Sequence, residues 1–211
     1  MLDLAHERRL GHARSALVCG VDEAGRGPLA GPVVAAAVVL PPEWLAGGLP
    51  PWCSGIDDSK KLKRAARDTA FSAITGALPY GVGIASVAEI DAVNILNATM
   101  LAMGRAVAAL PRVPAVAIVD GNRRPDLAGL RVETLVDGDA LCLSIAAASI
   151  VAKVTRDKIM GDLAARYPGY GWERNAGYGT AGHLAALRTL GVTPEHRRSF
   201  APVSQQLSLN L

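Results

Sequence analysis

Apolar positions in this chain fall in short runs bounded by glycine, proline or charge. Five of the runs have strand length: 15–22 (SALVCGVD), 32–40 (PVVAAAVVL), 79–86 (PYGVGIAS), 115–120 (AVAIVD) and 131–136 (RVETLV). Only one helical stretch, around 61–77, interrupts the first three, so they are expected to form an antiparallel meander. The last two have the apolar continuity of parallel strands in a covered sheet. Ser86 and Glu89 form a capping box that opens a helix running to Leu110, where Pro111 stops it. An alanine-rich stretch from about 141 to 166 predicts a long helix ending before Pro168. Thr180 as N-cap and Gly191 as closing residue bound a shorter one, and Thr193-Pro194 predicts another. No linker, repeat or low-complexity segment divides the chain. One α/β domain with a five-stranded mixed sheet is expected, with a helical C-terminal extension from about 168.

Composition narrows the class. Of 211 residues 50% are apolar, yet no apolar run reaches the length of a membrane span, so no membrane association is expected. The first residues lack the apolar core and cleavage site of a signal peptide. Cys19, Cys53 and Cys142 are widely spaced, with no Cys-x-x-Cys pair. They read as reduced thiols of a cytoplasmic protein, not as a disulfide frame or zinc site. The net charge of +3 supports no claim about nucleic acid, and the basic residues of 150–200 read as a solvated surface.

Carboxylates gather where strands end. The first run delivers Asp22 and Glu23, the fourth ends on Asp120 before Gly121-Asn122, and the fifth leads to Asp137 and Asp139 before the long helix. Any one of these alone reads as a turn or helix cap. Three strand ends together point to the crevice at the carboxyl edge of an α/β sheet. Acids gathered there repel one another unless cations bind, and hard oxygen ligands suit Mg²⁺ or Mn²⁺. A pair of such ions about 4 Å apart can activate water and stabilise a leaving oxygen in phosphodiester cleavage. Neighbouring strand residues face opposite sides, so Asp22 and Glu23 are expected to share a site only if the strand ends or bulges there.

Gly25-Arg26-Gly27 follows at once. Its spacing is not that of a dinucleotide fingerprint, and a valine-rich strand follows where that motif needs a helix. Glycines let backbone approach a ligand closely, and backbone groups can distinguish a 2′-hydroxyl from its absence.

The blocks GVDEAGRGPLAGPVV, DDSKKL, EIDAVNILNATMLAM, VDGN, AAASIVAKVTRD, GYGTAGH and HRRSF occur in order between about 18 and 202. In them the chain resembles ribonuclease HII, the type 2 ribonuclease H. The resemblance implies a ribonuclease H-like fold and an endoribonuclease that uses Mn²⁺ or Mg²⁺. Implied substrates are the RNA strand of RNA–DNA hybrids and single ribonucleotides embedded in duplex DNA, incised on their 5′ side to leave 3′-hydroxyl and 5′-phosphate ends. It assigns catalysis and metal binding to Asp22, Glu23, Asp120 and Asp139, with Asp137 left open as the fourth acid. It assigns substrate contacts to Gly25, Arg26, Gly27, Lys60 and Tyr178. Ser149 and Lys153, four apart on one helix face, are candidates for a backbone phosphate, with a packed serine and a snorkelling lysine as the alternative. A monomer is expected. The roughly twenty residues before Asp22 leave no room for the extra N-terminal domain of type HIII enzymes, and the short tail after FAPV argues against a C-terminal partner-binding motif. Three rivals stand beside this: a histidine-pair ribonuclease using His6, His12, His183 or His196, a non-catalytic hybrid-binding protein with a structural ion, and a metal nuclease indifferent to ribose.

Overall fold

The computed structural model describes residues 2–11, 17–127 and 129–208. Positions 15–16 of the first expected strand, and His12, lie outside them. Five strands form one sheet in the order β3-β2-β1-β4-β5. β1 (Val18–Ala24), β2 (Val33–Val39) and β3 (Tyr80–Ala85) make the antiparallel meander, while β4 (Val116–Asp120) and β5 (Arg131–Leu135) run parallel to β1. Each boundary lies within three residues of the one read from the apolar runs.

Helices cover both faces. The N-terminal stretch forms α1 (Ala5–Gly11), which the patterning left unassigned. α2 (Pro42–Gly47) and a 3₁₀ turn (Pro51–Gly55) precede α3 (Arg64–Ala77). α4 (Val87–Ala108) opens with the expected Ser86–Glu89 capping box. It breaks at Asn94, whose φ is 68° and whose side chain accepts from the Asn97 N–H at 3.1 Å to cap the second half. The long helix predicted over 141–166 forms as α6 (Leu143–Arg166); a separate single turn, α5 (Gly138–Leu141), precedes it, with Cys142 between them in an extended conformation. The restart is capped from far away in sequence, because buried Glu7 accepts the Ser144 N–H at 2.8 Å and the Cys142 thiol at 3.1 Å. A carboxylate there complements the positive helix end.

α7 (Trp172–Asn175), α8 (Ala181–Leu190) and α9 (Ala201–Ser208) form the C-terminal part. Thr180 caps α8 through the His183 N–H. The helix predicted at Thr193-Pro194 does not form. The Thr193 N–H and hydroxyl bond to the His196 ring instead, and His196 and Arg197 are drawn against the loop after β1, so the next helix waits until Ala201. Among the described residues no helix is long and apolar enough to cross a membrane, and Cys19, Cys53 and Cys142 are free, buried thiols.

Small residues bring α6 close to the sheet. Ala146, Ala147, Ala148 and Ala152 are fully buried, and a Cβ placed on Gly20 in β1 would lie 2.2 Å from the Ser144 backbone. The Gly20→Ala variant is therefore expected to lose about 2–3 kcal/mol in urea denaturation, since backbone on both sides prevents relief. An unchanged midpoint would show that α6 can move outward freely.

Candidate active site

Asp22 and Asp120 end up side by side because β1 and β4 are parallel neighbours with Val21 opposite Val119. The next residue of each strand points to the same face, towards α6. Asp22 is 4% exposed; the Glu23 N–H donates to its carboxylate at 2.7 Å, and the Ser149 hydroxyl also reaches it. The Gly138 N–H donates to Asp120 Oδ1 at 2.8 Å, which places the start of α5 against β4 and delivers Asp139, buried, to the same crevice. Asp137 is exposed and holds a left-handed conformation (φ 55°) at the turn into α5, so the crevice receives Asp139 of the two.

Of the two conditions for a shared site, the strand end is the one met, and no bulge interrupts the Asp-Glu doublet. β1 continues through Asp22 opposite Ala36 and Glu23 opposite Ala35, reaching Ala24 before Gly25 turns the chain with φ 100°. The two carboxylates therefore leave opposite faces of the strand and meet only around its end, where both line a cleft of about 450 Å³. Gly25, Arg26, Gly27, Ser59, Lys60, Asp120, Ser149, Lys153 and Tyr178 line it too; Asp139 joins through its 3.1 Å bond from the Lys60 ammonium.

Burial pushes the Asp22 carboxyl well above its ordinary range, and the charges of Glu23 and Asp120 push it further. Glu23 is raised by burial, against the opposing pull of the Arg26 guanidinium 3.3 Å away. Asp120 is raised by burial, with the Gly138 N–H opposing. Lys60 is lowered by its partial burial but carried above its usual value by Asp139, Asp22 and Asp58. Among the described residues Glu23 and Asp139 have a cation within ion-pair distance, while Asp22 and Asp120 have none.

A divalent ion fits this donor set chemically: all-oxygen, buried, and repelling itself. As the side chains lie, no three carboxylate, imidazole or thiol groups among the described residues converge on one point. The opposite facing of Asp22 and Glu23 is one reason. The ion pairs that engage Glu23 and Asp139 with Arg26 and Lys60 are another. Holding an ion with three of them requires side-chain rotation, and including Asp139 requires its release from Lys60.

Other expected residues divide. Tyr178 is 47% exposed, and a Cβ on Gly27 would stand 3.5 Å from its ring, so the tyrosine overlooks the glycine loop. Ser149 is buried, its hydroxyl shared with Ser59 at 2.7 Å and with Asp22, which makes it a packed serine that orients its neighbours. Lys153 is half-buried and paired with Asp157 at 2.7 Å. Ser59, Arg67 and Arg156 also line the cleft and were not foreseen. For Arg156 a signal was present: Ser149, Lys153 and Arg156 recur at helical spacing on one face of α6. Among the described residues the histidine-pair rival finds no base here. His183 and His196 are fully buried, each with both ring nitrogens engaged, and His6 lies in α1 away from the cleft lining.

Comparison with known proteins places the chain among the nuclease hydrolases. Ribonuclease H2 from Pyrococcus horikoshii OT3 superposes with a TM-score of 0.75 at 28% identity, over 92% of this chain and 98% of that one. A Bst-RNase HIII solved with Mn²⁺ shares the fold at a TM-score of 0.71 and 22% identity, over 92% of this chain and 70% of its own. Residues 19–203 match the family described as Ribonuclease HII. A ribonuclease HII from Granulibacter bethesdensis is 57% identical over 206 residues, 96% of this chain and 92% of that protein. One from Paramagnetospirillum magneticum is 56% identical over 207 residues, 98% and 99% respectively. The chain belongs to the ribonuclease HII family. It is accordingly an endoribonuclease acting on RNA–DNA hybrids.

Because the folded chain holds a proton on Asp22 more tightly than the unfolded chain does, ionised Asp22 destabilises the fold above its raised pKa. That penalty fades as pH falls towards the ordinary carboxylate range. Asp22→Asn is expected to raise the metal-free Tm at pH 8 by about 3 °C, for about 1 kcal/mol, with the advantage shrinking by pH 5. Calorimetric scans at both pH values check this; a variant less stable than the parent at pH 8 would contradict it.

Proposed function

We propose that this protein incises duplex DNA on the 5′ side of an embedded ribonucleotide, and cuts the RNA strand of hybrids, by divalent-metal hydrolysis. The carrying observation is the placement of Asp22, Asp120 and the Lys60–Asp139 pair across one cleft from the Gly25-Arg26-Gly27 loop and Tyr178. Asp22, Glu23, Asp120 and Asp139 are the residues that would hold Mn²⁺ or Mg²⁺; the relative solved with Mn²⁺ makes manganese a reasonable first ion to try. Bound ions of this kind supply a water nucleophile at neutral pH and neutralise charge on the leaving 3′ oxygen.

The chain's own groups set the substrate in place. The glycine loop lies close enough for backbone to touch a ribose, and a 2′-hydroxyl both donates and accepts hydrogen bonds. Tyr178 presents an exposed ring beside that loop, suited to stack on the sugar or base that follows the ribonucleotide. Lys60, with its ammonium at the mouth of the acidic crevice, is placed to meet the scissile phosphate once released from Asp139. Lys153 and Arg67 extend the positive lining along α6 and α3 for a backbone phosphate. The C-terminal part works with the sheet as one catalytic unit, since the Leu29 N–H donates to Gly177 and the Arg197 N–H to Leu29. We read the protein as a monomer acting in the cytoplasm.

Incubation of a DNA duplex containing one ribonucleotide with Mn²⁺ or Mg²⁺ should yield a single cut 5′ to the ribose, with 3′-hydroxyl and 5′-phosphate ends, abolished by EDTA. Asp22→Asn and Asp120→Asn should stay folded and bind the duplex while turnover falls by about a thousandfold or more. Equal cutting of an all-DNA duplex would replace this reading with that of a nuclease indifferent to ribose.

A further inference from the structure

The loop between β1 and β2 has little regular structure of its own, yet it forms one wall of the cleft. From Gly25 to Pro32 it turns with positive φ at Gly25 (100°) and Gly31 (81°). Buried carbonyls in such a segment need donors. Here two guanidinium groups provide them. Arg197 donates to Gly25 O at 2.6 Å, Arg26 O at 3.0 Å, Gly31 O at 2.9 Å and Pro32 O at 3.2 Å. Arg156 donates to Pro32 O and Ala30 O, each at 3.0 Å, and to Ala176 O at 2.9 Å. Both side chains are buried, and among the described residues neither forms an ion pair with a carboxylate.

A buried cation bound only to carbonyls is a costly way to satisfy a loop. Its geometry has a further result. A trans peptide is planar, with its C=O and the following N–H pointing in opposite directions. Drawing Gly25 O and Arg26 O inward onto Arg197 therefore turns the N–H groups of Arg26 and Gly27 outward, and Gly25, Arg26 and Gly27 line the cleft. Neither N–H donates to a protein group among the described residues. A cation bonded to a carbonyl also polarises the whole peptide, which makes its N–H a stronger donor. Arginine suits this task better than lysine because five donors in a rigid plane can span several carbonyls at once.

We propose that Arg197 is a positioning residue for ribose recognition: its guanidinium fixes the Gly25-Arg26-Gly27 peptides so that two free amides face the substrate. Arg156 anchors the far end of the same loop. This rests on the reading that the loop senses ribose, and it adds a requirement that the sensing depends on a residue the substrate never touches.

The test compares wild type, Arg197→Lys and Arg156→Lys on a duplex holding one ribonucleotide and on the all-DNA duplex, at a temperature where each variant is folded. Arg197→Lys is expected to keep its affinity for Mn²⁺ and for the all-DNA duplex. It should lose its preference for the ribonucleotide duplex in EDTA, where nothing is cut, and drop about tenfold or more in kcat/KM with metal present. Arg156→Lys should lose stability with a smaller change in that preference. A folded Arg197→Lys that discriminates as wild type does would overturn the positioning role alone; a wild type that does not discriminate would overturn the ribose reading itself. If Arg197→Lys does not fold, ¹⁵N-labelled wild type in EDTA decides. The Arg26 and Gly27 amides should shift with the ribonucleotide duplex and not with all-DNA, and amides that respond to neither overturn the proposal.

Discussion

Charge buried at the carboxyl end of β1 is the constraint to which the rest of this molecule answers. Asp22 is buried and Glu23 and Asp120 half-buried around one crevice, and all three are held above their ordinary pKa. Behind the loop that follows β1, Arg156 and Arg197 are buried with no carboxylate partner among the described residues. Burial lowers Arg156 to about 10, and burial with repulsion from Arg156 lowers Arg197 to about 9, so both stay charged at neutral pH. Arg156 and Arg197 spend their donors on carbonyls of the glycine loop and of Ala176, and not on these acids. A fold built for stability alone would have let these charges pair or replaced them with apolar groups. In the proposed function, their separation leaves the acids with charge to share with a metal and the loop with amides to share with a substrate.

The architecture serves that separation. Parallel pairing of β1 with β4 puts Asp22 beside Asp120, and the Gly138 contact to Asp120 swings Asp139 in from the third segment. Alanines and Gly20 let α6 approach until Ser149 touches both Asp22 and the Ser59 loop. Behind Tyr178, a buried network fixes the C-terminal part. His183 Nδ1 donates to the Tyr178 carbonyl, Trp172 donates to His183 Nε2, and His196 Nε2 lies 3.1 Å from the same nitrogen. Both rings must be neutral for these donors and acceptors to match. Burial lowers His183, and burial with repulsion from His183 lowers His196 to about 4. The histidines are therefore framework for Tyr178.

Much of this was legible in the sequence because it is local. Strand lengths, the Ser86 capping box, the Thr180 cap and the order of the acidic segments follow from periodicity and turn chemistry within a few residues. What escaped depended on partners far apart in the chain. The restart of α6 at Cys142 needs Glu7, and the loss of the helix at Thr193 needs Leu29, Ala30 and the His196 ring. Asp137 and Asp139 could not be ranked until the Asp120 contact fixed the turn. Arg156 and Arg197 looked like two more surface charges, since nothing within their own segments shows that a loop more than a hundred residues earlier will wrap around them. The sequence left open whether Asp22 and Glu23 would meet at a strand end or at a bulge; β1 stays regular through both, and its end at Ala24 brings them to one cleft.

The central claim is that this crevice is a binding site for divalent cations, reached by side-chain rotation and release of Lys60. The most direct measurement is anomalous diffraction from crystals of the protein soaked in Mn²⁺. Anomalous peaks within coordination distance of Asp22, Asp120 and Asp139, with the Lys60 ammonium moved off Asp139, are the predicted result. A map without manganese in the crevice at saturating concentration, with the Lys60–Asp139 pair intact, would contradict it.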